Sequence, residues 1–238
     1  MQKILAVVTN AAALGKDFKK TGLWFGELTG FYDVMKNRYM VDVISTGPDR
    51  VPIDPRSLAA MLPSKETRSY YLNESFMQQL WNPRTPDEVN PDEYAAIYFA
   101  GGHGTMEDFP DNKALHRIIR TVYENGGIVS AVCHGPAALL DVQLSDGRYL
   151  LDGHVVTGFA DIEEKVIGLY NHLPFSLEQR LKARGTIFRQ STLPFGACIT
   201  ESGRLITGQN PASVKGVARR VVHQLDGAAP GLLQKSEG

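Results

Sequence analysis

The stretch Ile128-Val-Ser-Ala-Val-Cys-His-Gly-Pro-Ala137 (IVSAVCHGPA) carries a short β-branched run straight into Cys133 and a Gly-Pro pair. Residues 128–132 read as a strand, and His134-Gly135-Pro136 as the first turn of a helix. Proline suits that place, because its missing N–H is no loss there. Ala131 and Gly135 flank the cysteine two residues away on either side. That is the small-x-nucleophile-x-small spacing of a nucleophile elbow, whose sharp turn has no room for larger side chains. The turn aims the sulfur at the carboxyl end of the sheet, where open α/β folds bind ligands. A helix N-terminus would also favour the thiolate, the reactive form. The competing reading is a buried structural cysteine, a common fate for a free thiol.

Working outward, further strands are expected over 3–8, 41–45, 95–100, 154–157 and 204–207. The first, the third and the 128–132 run are apolar almost throughout, the pattern of parallel strands covered on both faces. Helical spacing of apolar residues predicts helices over 22–36, 112–124 and 211–225, with another after Pro136. The second stops at Asn125-Gly126-Gly127, a C-cap signal. Strands alternating with helices predict a doubly wound parallel sheet flanked by helices. Two segments stand outside this pattern: 46–90, rich in proline with a helix expected over 74–81, and 161–184, read as one or two helices. Insertions of this kind either roof a pocket or cross the surface as decoration. Residues 1–225 are expected to form one α/β domain and 226–238 a flexible tail.

Composition narrows the class. The chain has 238 residues, 43% hydrophobic and 21% charged, which fits a globular protein with a sizeable core. A formal net charge of -1 offers no basic surface for nucleic acid. No apolar run approaches the ~18 residues a membrane helix needs, and no signal-peptide pattern precedes the first strand. Two cysteines in unlike contexts build no disulfide framework, so a reduced, cytoplasmic setting is expected.

Ala100-Gly-Gly-His-Gly-Thr-Met-Glu-Asp-Phe-Pro110 follows an apolar strand and precedes a helix. Gly101, Gly102 and Gly104 let backbone N–H groups crowd toward a ligand, as an oxyanion hole requires. A phosphate cradle is disfavoured, because neither Gly-Lys-Ser/Thr nor G-x-G-x-x-G spacing is present. Glu27 lies in the apolar run Leu23-Trp-Phe-Gly-Glu-Leu28. Burial there would raise its pKa toward a proton-sharing role, whereas the other face of the helix would leave it in water. Glu163 and Glu164 follow Thr157-Gly158-Phe159, and either could orient a histidine. His116, His154, His172 and His223 lack partners at metal-ligand spacing, and Cys198 has neither a helix start nor a charged neighbour.

Five separated motifs then agree in order with one family: KTGLWFGEL, GGHGTMEDFP, AVCHGPA, VVTGFADIEE and RLITGQNPAS. The chain resembles the ThiJ/PfpI superfamily, the class I glutamine amidotransferase-like group. The resemblance is nearest to its glutathione-independent glyoxalase III (D-lactate dehydratase) and heat-inducible chaperone branch. It implies a flavodoxin-like three-layer sandwich with a mostly parallel sheet and a homodimer. It also implies Cys133 as nucleophile with His134 as partner, Glu164 as the acid orienting the histidine, and Glu27 against the sulfur. Gly102 and the His134 N–H would form the oxyanion hole, with Gly101 and His103 close by. The longer chaperone members add an N-terminal segment and an interdomain metal site. Here the first strand starts at residue 3, so neither metal nor cofactor is expected. Gly208-Gln-Asn-Pro211 replaces the His-x-Glu pair of the amidotransferase enzymes, which disfavours glutamine hydrolysis.

The expected activity is conversion of a small 2-oxoaldehyde such as methylglyoxal to a 2-hydroxy acid through a Cys133 hemithioacetal. Two other classes remain open at this point. One is a stress-response chaperone or redox sensor in which Cys133 is oxidised; the other is a Cys-dependent hydrolase of amides, peptides or glycated side chains.

Overall fold

Successive side chains of a strand leave on opposite faces, so a strand that is apolar at every position must be covered twice. The computed structural model describes residues 1–61 and 64–227. Among these, six strands form the central sheet: β1 (Lys3–Val8), β2 (Met40–Ser45), β3 (Tyr94–Phe99), β4 (Ile128–Val132), β5 (Ile199–Ser202) and β6 (Leu205–Gly208). Ile4, Ala6 and Val8 of β1 enter one core while Leu5 and Val7 enter the other. Ala96 and Tyr98 of β3 are likewise parted from Ile97 and Phe99. The first core is closed by α1 (Phe25–Met35), through Phe25, Leu28, Phe31 and Met35. The second is closed by α2 (Lys113–Glu124), through Leu115, Ile118, Ile119 and Val122. α3 (Val214–Gly227) returns to the first face with Val217, Ala218 and Val221. The result is the expected three-layer α/β sandwich.

The strand order is β2-β1-β3-β4-β6-β5, parallel throughout except for β5, which runs antiparallel to β6 at the edge. The order reverses between β1 and β3, and a crevice opens beyond the carboxyl ends of the strands near such a reversal. Local signals set the ends of the elements. The Asn112 side chain accepts the Leu115 N–H at 3.1 Å to start α2, and Gly126, at φ 85°, ends it.

Three expectations need correction. Residues 154–157 do not join the central sheet. Only Val155–Val156 is strand, paired with Ile187–Phe188 in a ribbon of its own, because the chain then dips under the elbow. There the Phe159 N–H donates to the Cys133 carbonyl at 2.8 Å. The element after Cys133 is a five-residue 3₁₀ turn, Gly135–Leu139, rather than an α-helix. It is jammed against β3, where a Cβ on Gly135 would sit 2.4 Å from the Phe99 carbonyl oxygen. The last helix continues to Gly227, so Asp226 is helical, and the rest of the expected tail, 228–238, lies outside the described residues. The antiparallel edge strand β5 was not expected at all.

The insertion 46–90 folds into short helices at Pro55–Met61, Lys65–Tyr71 and Glu74–Trp81, the last as expected. The insertion 161–184 gives Asp161–Val166 and Leu177–Ala183. Among the described residues no helix is long and apolar enough to cross a membrane.

Candidate active site

Cys133 follows directly on β4 with φ 58°, the left-handed region that costs a non-glycine residue roughly 1–3 kcal/mol. Neighbours on both sides hold it there. Its N–H donates to the Gly208 carbonyl at 2.9 Å, and its own carbonyl accepts from Phe159 at 2.8 Å. The turn turns the thiol away from the strand axis and folds the next residue back, so that His134 Nδ1 lies 3.3 Å from Sγ.

His134 Nε2 lies 2.6 Å from Glu164 Oε1, and His103 Nε2 lies 3.0 Å from Glu164 Oε2. The sequence left Glu163 and Glu164 open; the fold brings Glu164 to the histidine. Glu163 points the other way and is also buried. It accepts the Phe195 N–H and the Asn210 amide, each at 2.8 Å, and the Ala160 N–H at 3.0 Å. Phe159 covers the pair of imidazoles, its ring 4.7 Å from that of His134 and 6.0 Å from that of His103.

Glu27 reaches the sulfur from the opposite side. It sits in the first turn of α1 and is completely buried. Its Oε2 accepts the Gly101 N–H at 2.6 Å, Oε1 has no hydrogen-bond partner among the described residues, and the carboxyl neighbours the Cys133 thiol. Gly101 is required for this approach: a Cβ there would fall 2.7 Å from Glu27 Oε2 and 2.8 Å from Cys133 Cβ. Gly102, at φ 111°, passes so close to the chain at Gly22 that a Cβ would meet its carbonyl oxygen at 2.2 Å. The Gly101 N–H is thus committed to Glu27 and is not an oxyanion donor. Among the described residues the N–H groups of Gly102 and His134 have no hydrogen-bond partner.

The electrostatics divide the site in two. Burial pushes the Glu27 carboxyl up to about 8, so it is protonated at neutral pH. Burial, with the neighbouring Glu27 adding to it, also raises the Cys133 thiol well above its ordinary range. Burial thus favours the neutral thiol, and a short 3₁₀ turn stands where a thiolate-stabilising helix start was expected. Glu164 behaves oppositely. Burial pushes its carboxyl up, but electrostatic attraction to the His134 ring and hydrogen bonds from His103 and His134 outweigh this and hold it at about 2. Burial, reinforced by His134, lowers His103 to about 4.

His103, His134 and Glu164 offer two nitrogens and an oxygen within 4.8 Å of one another. Their N–H protons and the carboxylate are already matched to one another, so an ion could enter only by displacing both protons. The other histidines stand outside this group: His154 Nδ1 lies 2.9 Å from Ser202 Oγ, and His172 pairs with Asp17. Sequence reasoning missed Arg56 and Asp54, which the 46–90 insertion brings to His103. The only signal there was the proline richness of the 46–90 segment. The arrangement suits addition of a thiol to a carbonyl: a nucleophile, a base at 3.3 Å, a carboxylate behind the base, two unpaired N–H groups, and a protonated acid on the far side.

The profile of the DJ-1/PfpI family matches residues 26–224 of this chain. The glutathione-independent glyoxalase HSP31 of Saccharomyces cerevisiae is 34% identical over 233 residues, covering 93% of this chain and 97% of the relative. Among solved structures, Rapid Encystment Protein 24 kDa of Francisella tularensis superposes with a TM-score of 0.90 at 34% identity, over 94% of this chain and 99% of that one. Glyoxalase III of Candida albicans superposes with a TM-score of 0.85 at 29% identity, over 93% and 96%.

Proposed function

This chain belongs to the DJ-1/PfpI family, and on that premise we propose that it is a glutathione-independent glyoxalase, converting methylglyoxal or a related 2-oxoaldehyde to a 2-hydroxy acid, D-lactate from methylglyoxal. The relatives named glyoxalases support the activity. The observation that carries the mechanism is the placing of Cys133 between a base and a protonated acid: His134 Nδ1 on one side, Glu27 on the other.

In the proposed reaction the Cys133 sulfur adds to the aldehyde carbon as His134 Nδ1 takes the thiol proton. The oxygen, held by the N–H groups of Gly102 and His134, receives the Glu27 proton and a hemithioacetal results. Glu27, now a carboxylate, removes the carbon-bound proton. The His134 imidazolium protonates the neighbouring oxygen, giving an enediol. Glu27 returns its proton to the second carbon and recovers one from the first hydroxyl, which becomes the thioester carbonyl. Water then hydrolyses the thioester, releasing the 2-hydroxy acid and the thiol. One proton thus moves from carbon to carbon on one face, which accounts for a single enantiomer of product.

No glutathione is needed, because the protein's own thiol supplies the hemithioacetal. The test is incubation with methylglyoxal in the absence of any small thiol, with chiral analysis of the lactate. D-lactate from the wild type and none from Cys133→Ala are expected; equal rates in the two sink the mechanism. A homodimer and a cytoplasmic setting are part of the same proposal. Ile162 and Val166, exposed one turn apart on the helix Asp161–Val166, give a second copy an apolar strip to cover. Both cysteines are free thiols, as in a reducing compartment.

A further inference from the structure

Behind His103 stands a cation that the reaction above does not use. Arg56 Nη2 lies 3.1 Å from His103 Nδ1. A guanidinium has donors and no acceptor, so this Nδ1 carries the lone pair and the ring proton resides on Nε2. Nε2 is the atom that faces Glu164 Oε2 at 3.0 Å. The guanidinium is itself held: its Nε donates to Asp54 Oδ1 at 2.9 Å, and Nη2 also reaches Asp54 Oδ2 at 2.5 Å. Asp54 is fully buried and takes a further hydrogen bond from Thr21 Oγ1 at 3.0 Å, so the clamp is built into the fold.

The consequence runs inward along the chain of contacts. Glu164 receives one N–H on each oxygen, from His103 on Oε2 and from His134 on Oε1. Its orientation is then fixed, and His134 must hold its proton at Nε2. That leaves His134 Nδ1 as a lone pair facing the thiol. Were His103 to turn its other nitrogen toward Glu164, two acceptors would meet and the carboxylate would swing. Were His103 to gain a second proton, a cation would sit beside His134, whose ring centroid is only 4.0 Å away. That would oppose the charge His134 must take up. Arg56 prevents both, by occupying Nδ1 and by repelling a proton there.

We propose that Arg56, clamped by Asp54, is a positioning residue of this active site: it locks His103 as the neutral Nε2–H tautomer and, through Glu164, keeps His134 Nδ1 ready for the Cys133 proton. The proposal rests on the reading of Cys133 and His134 given above, and its test does not depend on turnover. The charged and titratable groups that bear on His103 are His134, Glu164 and Arg56, and those on Cys133 are Glu27, Glu163 and Glu164, with Arg56 acting at longer range.

The first measurement is the ¹⁵N–¹H long-range spectrum of the wild-type imidazoles from pH 5 to 8. His103 should show a proton on Nε2 and none on Nδ1 across the range; a proton on Nδ1 overturns the proposal outright. The second is the pH profile of Cys133 alkylation by iodoacetamide, in a Cys198→Ser background, for Arg56→Met, Arg56→Lys and Asp54→Asn. Arg56→Met should shift the profile to higher pH and bring a His103 protonation step into the range. Its kcat should fall roughly 10- to 100-fold with KM changed less, part of the effect of positioned proton transfer. Lysine should restore much of the profile, and Asp54→Asn should show the same changes in smaller measure. A folded Arg56→Met with the wild-type profile and spectrum overturns the proposal. If that variant does not fold, an unaltered profile in Asp54→Asn does so. Should the wild type make no lactate at all, the proposed function fails while the spectrum and the alkylation profile still decide the role of Arg56.

Discussion

Glu27 and Glu164 approach the same Cys-His pair from opposite sides, and both are shut away from water. Yet one carboxyl is pushed up to about 8 and the other held at about 2. Burial pushes both upward; what differs is the company. Glu27 has one backbone N–H and a neutral thiol against an apolar helix face. Glu164 has an imidazole N–H on each oxygen. Donors that favour the charged form, two imidazole N–H groups against one backbone N–H, reverse the sign of the shift. Two carboxylates of one site are thereby divided between acid and anion, the usual sign of an acid–base assignment.

Removing the anion should break this division most severely. Glu164→Ala leaves two buried imidazole N–H groups without an acceptor and frees both rings, so kcat should fall by roughly 10³-fold or more. Each unsatisfied donor should also destabilise the fold by roughly 1–3 kcal/mol. Steady-state kinetics beside a urea melt check both; a folded variant within tenfold of wild type would show that Glu164 does not orient His134. Glu27→Gln is the gentler break. Glutamine keeps the shape and the neutral charge of the protonated acid and cannot shuttle a proton, so kcat should drop by roughly 10²-fold. Retained proton exchange between the aldehyde carbon and solvent in that variant would move the base to His134.

The same variant sharpens the comparison through stability. Below about pH 4.5 both the folded and the unfolded chain hold the Glu27 proton. Between 4.5 and about 8 the unfolded chain has released it and the folded chain has not. Stability therefore falls as pH rises through that window, by up to about 1.4 kcal/mol per pH unit from this group, and levels off above it. Glu164 has the reverse sign: its contribution is present above 4.5 and is lost as pH falls toward about 2. Glu27→Gln should flatten the decline in urea midpoint between about pH 4.5 and 8 and leave the limb below 4.5 alone. An unchanged slope would mean that Glu27 ionises in the folded protein.

Much of this was open to reading in the sequence, because local patterns encode it. β1, β3 and β4 are apolar at nearly every position, and Ala131-Val-Cys-His-Gly135 is an elbow by spacing alone. Glu27 stood out as a charge in an apolar helix. Three features were hidden, each for a physical reason. Glu163 and Glu164 are chemically identical neighbours about 100° apart on a helix, and only packing decides which one meets His134. The 3₁₀ turn after Cys133 follows from crowding against Phe99, a contact between strands distant in sequence. Arg56 lies in a proline-rich insertion and finds His103 across 47 residues, a pairing that no local periodicity announces.

Glu163 supplies the smallest break. It is a third buried carboxylate, one residue from Glu164, and accepts three hydrogen bonds, none from an imidazole. Its task is to anchor Phe195, which sits at φ 64° with its ring 6.4 Å from that of Phe159. In Glu163→Gln one end of the side chain becomes a donor and must face a donor, either the Ala160 N–H or the Phe195–Asn210 pair. That should cost about 1–3 kcal/mol of stability. Catalysis should suffer little, because the Glu164 contacts do not pass through it. A few-fold rise in KM, from a loosened Phe195 beside the aromatic cover of His134, is the expected kinetic trace. A loss of kcat as large as that of Glu27→Gln would instead place both members of the Glu-Glu pair behind the histidine.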